Sequence, residues 1–202
     1  MHELIEGRWS ARGYDPSATI TAEQATEILD AGRWAPTWGR MQPVRFIVGL
    51  REPSRPEGDE TFAGIVGCLT RGNAGWAPAA VALILVCTSD IPDDDKAHTY
   101  ATVDVGLAVA QMLIQAEALG FNAHPMAGFG AAAARQRFAI PDDMRPLVLI
   151  GVGRLADPET LAPEIRERDE RTRTRLPLAK VAFSGAWGHS FANTKDGNPI
   201  AR

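Results

Sequence analysis

The segment RWSAR, at residues 8–12, combines residue types that could bind an anion. If the segment is extended, its two arginines and its serine alternate onto one face, with successive members about 7 Å apart. Two guanidinium groups beside a hydroxyl group suit a phosphate or a ribityl chain. Near the other end of the sequence, Arg173 and Arg175 repeat the same spacing. Solvated surface charge would explain either pair equally well, so the arginines alone support only the hypothesis of a phosphate site.

Three connecting segments offer further polar groups beside predicted helices and strands. Residues 35–43 are rich in turn-forming residues and present Thr37, Arg40 and Gln42 as polar side chains. Residues 73–78 form a turn that begins with an asparagine and precedes a buried strand. Residues 125–129 follow the longest predicted helix and would leave backbone N–H groups free beside small side chains. Taken singly, each segment is also explained as an ordinary loop.

Helices and strands alternate along the sequence and must position these segments. Thr21 and Gln24 predict a capping box, after which apolar residues recur at helical spacing until Gly32 and Pro36 end the helix. The predicted strands cover residues 44–50, 80–88 and 147–152, and further helices cover residues 62–69, 102–119 and 131–138. This alternation indicates an α/β or an α+β fold.

The helix predicted over residues 102–119 is apolar almost all round. Only Asp104 and Glu117 are charged, and Gly120 is the expected C-terminal cap. A helix of this kind is expected to be buried on all sides, either in the core or at a subunit interface. The C-terminal tail has weak periodicity but carries three large aromatic residues between positions 183 and 191. These side chains need a surface to lie on, which a partner subunit could provide.

The composition excludes several classes of function. The chain has 202 residues and a formal net charge of −4, which argues against nucleic acid as the main partner. The longest apolar run, residues 77–87, is shorter than the roughly 20 residues that a membrane span needs. No secretory signal is visible at the N-terminus. Cys68 and Cys87 lie in apolar segments and are expected to be buried, reduced thiols, so we expect a cytoplasmic protein without membrane or nucleic-acid partners.

Other well-known site motifs are missing or lack the right context. Residues 128–133 and 151–156 both imitate the glycine pattern of dinucleotide-binding folds. The first lacks a good strand before it, and the second runs into prolines where the phosphate-binding helix should begin. The sequence contains no nucleophile elbow and no P-loop, and its four histidines show no metal-ligand spacing. We therefore expect no metal site.

Taken together, these segments resemble the FMN-dependent nitroreductase family over nearly the whole chain. Seven motifs occur in the family's order. They are Arg8-x-Ser10-x-Arg12, Ala35-Pro36-Thr37 with Gln42-Pro43 and Phe46, Gly72-Asn73 with Trp76 and Pro78, the helix from Asp104 to Gly120, the loop from Pro125 to Phe129, the strand before Gly151, and Arg173-x-Arg175-x-Pro177-Leu178.

The resemblance implies an α+β homodimer, with a central sheet flanked by helices and a long buried core helix. One nitroreductase-like domain would span residues 1–202, with residues 179–202 as a tail on the partner subunit. FMN would lie in each of two clefts at the dimer interface. The implied cofactor-binding residues are Arg8, Trp9, Ser10, Arg12, Pro36, Thr37, Gln42, Asn73, Pro125, Met126, Ala127, Gly128, Arg173 and Arg175.

Within this set the resemblance implies different roles. The four arginines and Ser10 would hold the phosphate and the ribityl chain, while Thr37, Gln42 and Asn73 would line the isoalloxazine. A backbone N–H of Ala127 or Gly128 would point at flavin N5. No side chain is assigned as a catalytic acid or base.

The implied reaction is a ping-pong transfer of a hydride from NADH or NADPH, through flavin N5, to a nitroaromatic or quinone acceptor. The same fold could instead catalyse ene reduction, dehalogenation or dehydrogenation. A flavin-binding or redox-sensing protein without rapid turnover would also fit the sequence, as would a cofactor-free scaffold. Arg40 stands where many family members have asparagine, Val44 where tryptophan is common, and Ala127 where some have an acidic residue. These departures affect the expected substrate more than the expected cofactor.

Overall fold

Helices and strands alternate along the described part of the chain, which covers residues 1–89 and 94–191 in the computed structural model. The strands are β1 (Arg45–Leu50), β2 (Ala82–Ser89), β3 (Asn122–Met126) and β4 (Met144–Gly153). The helices are α1 (Glu3–Gly7), α2 (Ala22–Arg33), α3 (Glu60–Val66), α4 (Arg71–Ala74), α5 (Asp95–Ala118), α6 (Ala131–Arg137) and α7 (Pro163–Asp169). Short 3-10 turns occupy Trp38–Arg40, Ala77–Ala79, Pro158–Thr160 and Leu178–Lys180.

The strands form an antiparallel sheet in the order β1-β2-β4-β3. Along β2, Ile84 and Val86 pack into the core on one face, and Leu83 and Leu85 pack into the core on the other. Because both faces of β2 are covered, its sequence is continuously apolar rather than alternating. The antiparallel pairing decides between the two classes that the sequence left open, and the predicted α+β class with a central sheet flanked by helices is confirmed.

Helix α2 packs against α5 over one face of the sheet. The predicted capping box at its start is confirmed, since the Thr21 hydroxyl accepts the N–H of Gln24 and the Gln24 side chain accepts the N–H of Thr21. The predicted stop at Gly32 is wrong by one residue, because the helix continues to Arg33. Gly32 is instead a packing residue, since a Cβ there would collide with the Met112 side chain of α5.

Helix α5 is longer at its start than the sequence predicted. It begins at Asp95 instead of Thr102, because the carboxylate of Asp94 accepts the N–H of Ala97 and caps the first turn. The helix ends as predicted, with Gly120 in the left-handed conformation (φ 75°) that favours glycine. Residues 91–96 contain a proline and three consecutive aspartates, a pattern that predicts a solvated turn; the segment lies partly outside the described residues, and its last two residues belong to α5.

One face of α5 remains open in a single copy of the chain. Tyr100, Val103 and Leu107 are 39–48% exposed, whereas Met112 and Ala116 on the opposite face are fully buried. The prediction that α5 is buried on all sides is therefore wrong for one copy. Although α5 is long, none of the described helices is both long and apolar enough to cross a membrane.

The glycine pattern at residues 151–156 has a packing function. The ring of Tyr14 lies directly against Gly153, so a Cβ at that position would overlap the ring. The Tyr14 hydroxyl donates a hydrogen bond to the carbonyl oxygen of Gly151 (3.1 Å). Gly153 therefore lets the N-terminal segment pack against the sheet.

Candidate functional site

Five arginines from the N-terminal and C-terminal segments line one surface cavity of about 270 Å³. We call it the arginine cavity. Its lining residues are Arg8, Trp9, Ser10, Arg168, Arg171, Arg173 and Arg175. The structure thus brings Arg8 of the first predicted pair together with Arg173 and Arg175 of the second. Arg12 does not line this cavity.

Direct hydrogen bonds join the two segments at this cavity. The Arg173 guanidinium donates to the carbonyl oxygens of Arg8 (2.8 Å) and Glu6 (2.7 Å), which lie at the end of α1. Arg8 in turn points its Nη1 toward the Ser10 hydroxyl, 3.5 Å away. Within the described residues, the Nε of Arg173 is buried without a hydrogen-bond partner. Such a donor is available to an ordered water molecule or to a ligand.

The charge in the arginine cavity is not neutralised by its own lining, since none of its lining residues is acidic. Burial, followed by the charges of Arg173 and Arg175, holds the pKa of Arg8 below its usual value. Glu117 of α5 is the acid that acts on Arg8, and burial raises the pKa of this carboxyl. An arrangement of repelling cations suits a dianion such as a phosphate monoester.

Arg12 lies in an adjoining cavity of about 550 Å³ rather than with Arg8. Its guanidinium stands over the ring of Trp76, 5.6 Å from the ring centroid, and its Nε is buried without a partner. Arg168 and Arg171 line both cavities. The two cavities are therefore neighbours with a shared wall. Together they have room for a ligand that is longer than a phosphate group.

Asp169 of α7 holds the N-terminal segment in place. Its carboxylate is 7% exposed and accepts the backbone N–H groups of Arg12 (2.9 Å) and Gly13 (2.8 Å), as well as a hydrogen bond from Arg168 (3.0 Å). The sequence analysis missed Asp169, Arg168 and Arg171, because all three lie in a run of mixed charges that resembles a solvated face.

Replacing Asp169 by asparagine should lower the free energy of unfolding by about 1–3 kcal/mol, since buried N–H groups lose their charged acceptor. Urea unfolding followed by tryptophan fluorescence measures this change. Glu167→Gln is the matched control, because Glu167 lies on the same helix but is exposed and pairs only with Arg171. Equal effects of the two substitutions would contradict the anchoring role of Asp169.

The segment after β3 is fixed against α4. Asn73 is 7% exposed and donates from its amide to the carbonyl oxygen of Gly128 (3.0 Å), which also accepts the N–H of Thr70 (3.1 Å). A Cβ on Gly128 would collide with the Asn73 side chain. Among the described residues, the N–H groups of Ala127 and Gly128 donate to no protein acceptor. These are the two groups that the sequence analysis placed at flavin N5.

The remaining residues predicted in this region have different surroundings. Met126 is 6% exposed, and its side chain packs into the core. Pro125 is partly exposed at the end of β3. Leu69 does not extend α3, which ends at Val66, but forms an isolated β-bridge with Phe129.

Thr37 and Gln42 line a second, separate cleft of about 610 Å³, which we call the loop cleft. It lies between α2, β1, α5 and the loop of residues 37–42, and it shares no lining residue with the arginine cavity or its neighbour. Pro36 is exposed beside the cleft and does not line it. Within one copy, the predicted site residues therefore form two groups.

Helix α5 fixes the loop of residues 37–42. Both carboxylate oxygens of Asp104 accept the N–H of Trp38 (3.1 and 3.2 Å), and the ring of Trp38 stacks on that of Tyr100 with a centroid separation of 5.2 Å. Arg40 (φ 66°) and Gln42 (φ 44°) have left-handed backbone conformations, which are rare for residues with a Cβ. Such strain often marks functional loops.

His124 of β3 gives stability a specific pH dependence. It is 8% exposed, donates from Nδ1 to the carbonyl oxygen of Ala11 (2.7 Å) and lies 4.6 Å from Trp76. Burial, with a smaller contribution from Arg168, lowers its pKa below the ordinary value of 6.5. As the pH falls through 6.5, the unfolded chain therefore binds a proton that the folded chain does not.

The free energy of unfolding should consequently decrease as the pH falls below about 6.5, by at most about 1.4 kcal/mol per pH unit for this one group. Urea unfolding between pH 7.5 and pH 5.5 tests this, and His124→Gln should flatten the profile. The control is His189→Gln, since His189 is exposed. A wild-type slope in His124→Gln would show that other groups cause the dependence.

Comparison with known proteins identifies relatives along most of the chain. The model of the nitroreductase family matches residues 5–154. An uncharacterized 15.4 kDa protein of Mycolicibacterium smegmatis is 46% identical over 148 residues, which are 72% of this chain and 99% of that protein. The Bacillus subtilis protein named "Putative NAD(P)H nitroreductase YdgI" is 26% identical over 189 residues, with 77% of this chain and 88% of that protein covered. A crystal structure described as an oxidoreductase containing FMN superposes with a TM-score of 0.82 at 30% identity, covering 94% of each chain.

Proposed function

Because the chain belongs to the nitroreductase family, we propose that it is an FMN-dependent oxidoreductase with a ping-pong mechanism. NADH or NADPH would donate a hydride, and an electron-poor acceptor, a nitroaromatic or a quinone, would receive it. The observation that carries the proposal is the arginine cavity, whose lining contains five arginines and no acidic residue and, within the described residues, a buried Arg173 Nε without a partner, where the resemblance implies the phosphate. The predicted FMN and nicotinamide donor agree with the FMN-containing structural neighbour and the NAD(P)H nitroreductase relative.

The residues present fit FMN as a ligand. Arg8, Ser10, Arg173 and Arg175 would hold its phosphate, and charge-assisted hydrogen bonds of this type contribute about 1.5–3 kcal/mol each. Arg12, with its own unpartnered Nε, would hold the part of the cofactor that continues into the adjoining cavity. Micromolar affinity corresponds to about 8 kcal/mol, so several such contacts are needed together.

The segment after β3 would orient the flavin ring. When bound, FMN supplies the ring that accepts and donates the hydride. The N–H groups of Ala127 and Gly128 are free to donate to that ring, and Asn73 and Thr70 fix the backbone that carries them. Asn73 was predicted to line the isoalloxazine. Because its amide donates a hydrogen bond to the carbonyl oxygen of Gly128, it would also position the backbone of this segment. Trp9, Pro125 and the backbone of Met126 complete the proposed contacts in this copy.

One copy of the chain carries two separate groups of predicted site residues. This separation supports a homodimer in which each composite site combines residues from both subunits. The loop cleft, with Pro36, Thr37 and Gln42 at the loop, shares no residue with the arginine cavity. The open apolar face of α5 lies beside that loop, since Tyr100 stacks on Trp38. A second copy that covers this face would place its arginine cavity against the loop, giving each cofactor residues from both subunits.

The tail is proposed to belong to the same assembly. Val181, Trp187 and Phe191 are 56–91% exposed in a single copy, although Phe183 and Trp187 contact each other. Large apolar side chains on an irregular segment favour burial against another surface. A partner subunit would provide this surface for residues 179–191; residues 192–202 of the proposed tail lie outside the described residues.

The first experiment is an absorbance spectrum of the purified protein, taken anaerobically before and after addition of NADPH or NADH. We expect oxidised-flavin bands that bleach with at least one donor. Bands that persist with both donors would contradict the oxidoreductase and favour an FMN-binding or redox-sensing protein. A protein that takes up no FMN, even after incubation with it, would overturn the cofactor assignment. A screen of nitro, quinone, enone and halogenated acceptors then separates nitroreduction from the remaining flavin reactions.

A further inference from the structure

The loop cleft carries positive charge that its own acids do not neutralise. Asp30 pairs with Arg33 (2.8 Å), and Asp104 is occupied by the N–H of Trp38. Arg45, which also lines the cleft, donates only to backbone carbonyl oxygens. Arg40 has no hydrogen-bond or ion-pair partner among the described residues. The lining of the cleft is therefore net positive, and the guanidinium group of Arg40 pairs with none of the described residues.

The backbone at Arg40 makes this placement unusual. Gly39 (φ 57°) and Arg40 (φ 66°) are both left-handed, a conformation that glycine adopts readily and a residue with a Cβ disfavours. The carboxylate of Asp104 and the ring of Tyr100 hold Trp38, two positions before Arg40, and so fix the start of this turn. Strained residues held in this way are concentrated at ligand contacts.

From this geometry we infer that Arg40 is a specificity-determining residue, which favours acceptors carrying a carboxylate or another anionic substituent. The inference rests on the proposed function, because it places the acceptor at the loop that would contact the flavin. It names the substrate class within that function: anionic nitroaromatics or quinones in preference to neutral ones of the same size and redox potential.

The test compares 4-nitrobenzoate with its neutral analogue 4-nitrobenzamide. In Arg40→Gln, kcat/KM for 4-nitrobenzoate should fall about two- to fivefold further than kcat/KM for 4-nitrobenzamide, and Arg40→Lys should restore much of the difference. The wild-type preference should also weaken as ionic strength rises. The control is Arg33→Gln, which removes an exposed arginine of the same cleft that is already paired with Asp30. Equal losses for both acceptors, or a change confined to the KM for NADPH, would overturn the inference.

A binding measurement separates this inference from the proposed function. Calorimetric titration of the FMN-loaded protein with benzoate and with benzamide needs no turnover, and we expect a preference for benzoate that Arg40→Gln removes. If that preference is present but no acceptor is reduced, the proposed oxidoreductase fails while the role of Arg40 stands. If acceptors are reduced but wild type and Arg40→Gln bind benzoate equally, the role of Arg40 fails alone.

Discussion

Replacing Arg8 by glutamine is expected to weaken FMN binding about ten- to 150-fold while leaving the cofactor-free protein no less stable. The loss of affinity corresponds to one charge-assisted contact of about 1.5–3 kcal/mol. Without a ligand, the charges of Arg173 and Arg175 act against Arg8 and, after burial, lower its pKa. Removing that charge therefore relieves repulsion in the empty cavity. Equilibrium dialysis of FMN and thermal unfolding of the stripped protein measure the two effects separately.

The opposite signs of the two effects distinguish a binding role from a structural one. A residue that only supported the fold would lower stability with and without FMN. Arg55→Gln is the matched control, because Arg55 is exposed in the loop between β1 and α3 and lines none of the cavities described above. If Arg8→Gln binds FMN as tightly as Arg55→Gln, the arginine cavity is not the phosphate site.

Introducing a glutamate at Leu107 is expected to dissociate the proposed homodimer and, with it, to release FMN. Leu107 is 39% exposed on the open face of α5, so a single folded copy should tolerate the change. In a symmetric interface the substitution buries two uncompensated carboxylates. The cost of an unpaired buried charge is about 3 kcal/mol or more, which is roughly a hundredfold or more in dimer affinity.

Light scattering during size-exclusion chromatography gives the mass, and the flavin absorbance of the same peak gives the cofactor content. Circular dichroism establishes that the variant is folded. Leu155→Glu is the control, since Leu155 has a similar exposure (51%) but lies beyond β4, where it forms a β-bridge with Tyr14, and is not on the open face of α5. A wild-type protein that holds FMN as a monomer would contradict the composite site, as would a dimeric, flavin-loaded Leu107→Glu.

Local chemistry made much of the fold predictable. Thr21 and Gln24 define the start of α2 because a capping box needs only residues three positions apart. Gly120 marks the end of α5 for a similarly local reason. The start of α5 was less accessible, since its first turn is polar and its cap, Asp94, lies in a run of aspartates that also fits a solvated turn.

The candidate site was predictable only where types and spacing were distinctive. The arginine pairs suggested a phosphate, and the structure brings Arg8 and Ser10 together with Arg173 and Arg175. Residues that act through distant partners left no local signal. Asp169 holds the N-terminal segment from 157 positions away and was indistinguishable from the other acids of its charged run. Asp104 stood out as a charge on an apolar helix, but its partner 66 positions away was not predictable.

The hydrogen bond from Arg173 to the Arg8 carbonyl spans 165 positions of the chain. During synthesis, the arginines near the N-terminus therefore leave the ribosome long before the residues that complete their cavity. With the phosphate in the proposed arginine cavity, FMN would be loaded only after Arg173 has emerged. From then on, the cofactor would hold the first and last segments of the domain together, because a ligand that binds only the assembled cavity stabilises it by mass action. Proteolysis of either segment should then be slower in the flavin-loaded protein than in the stripped one.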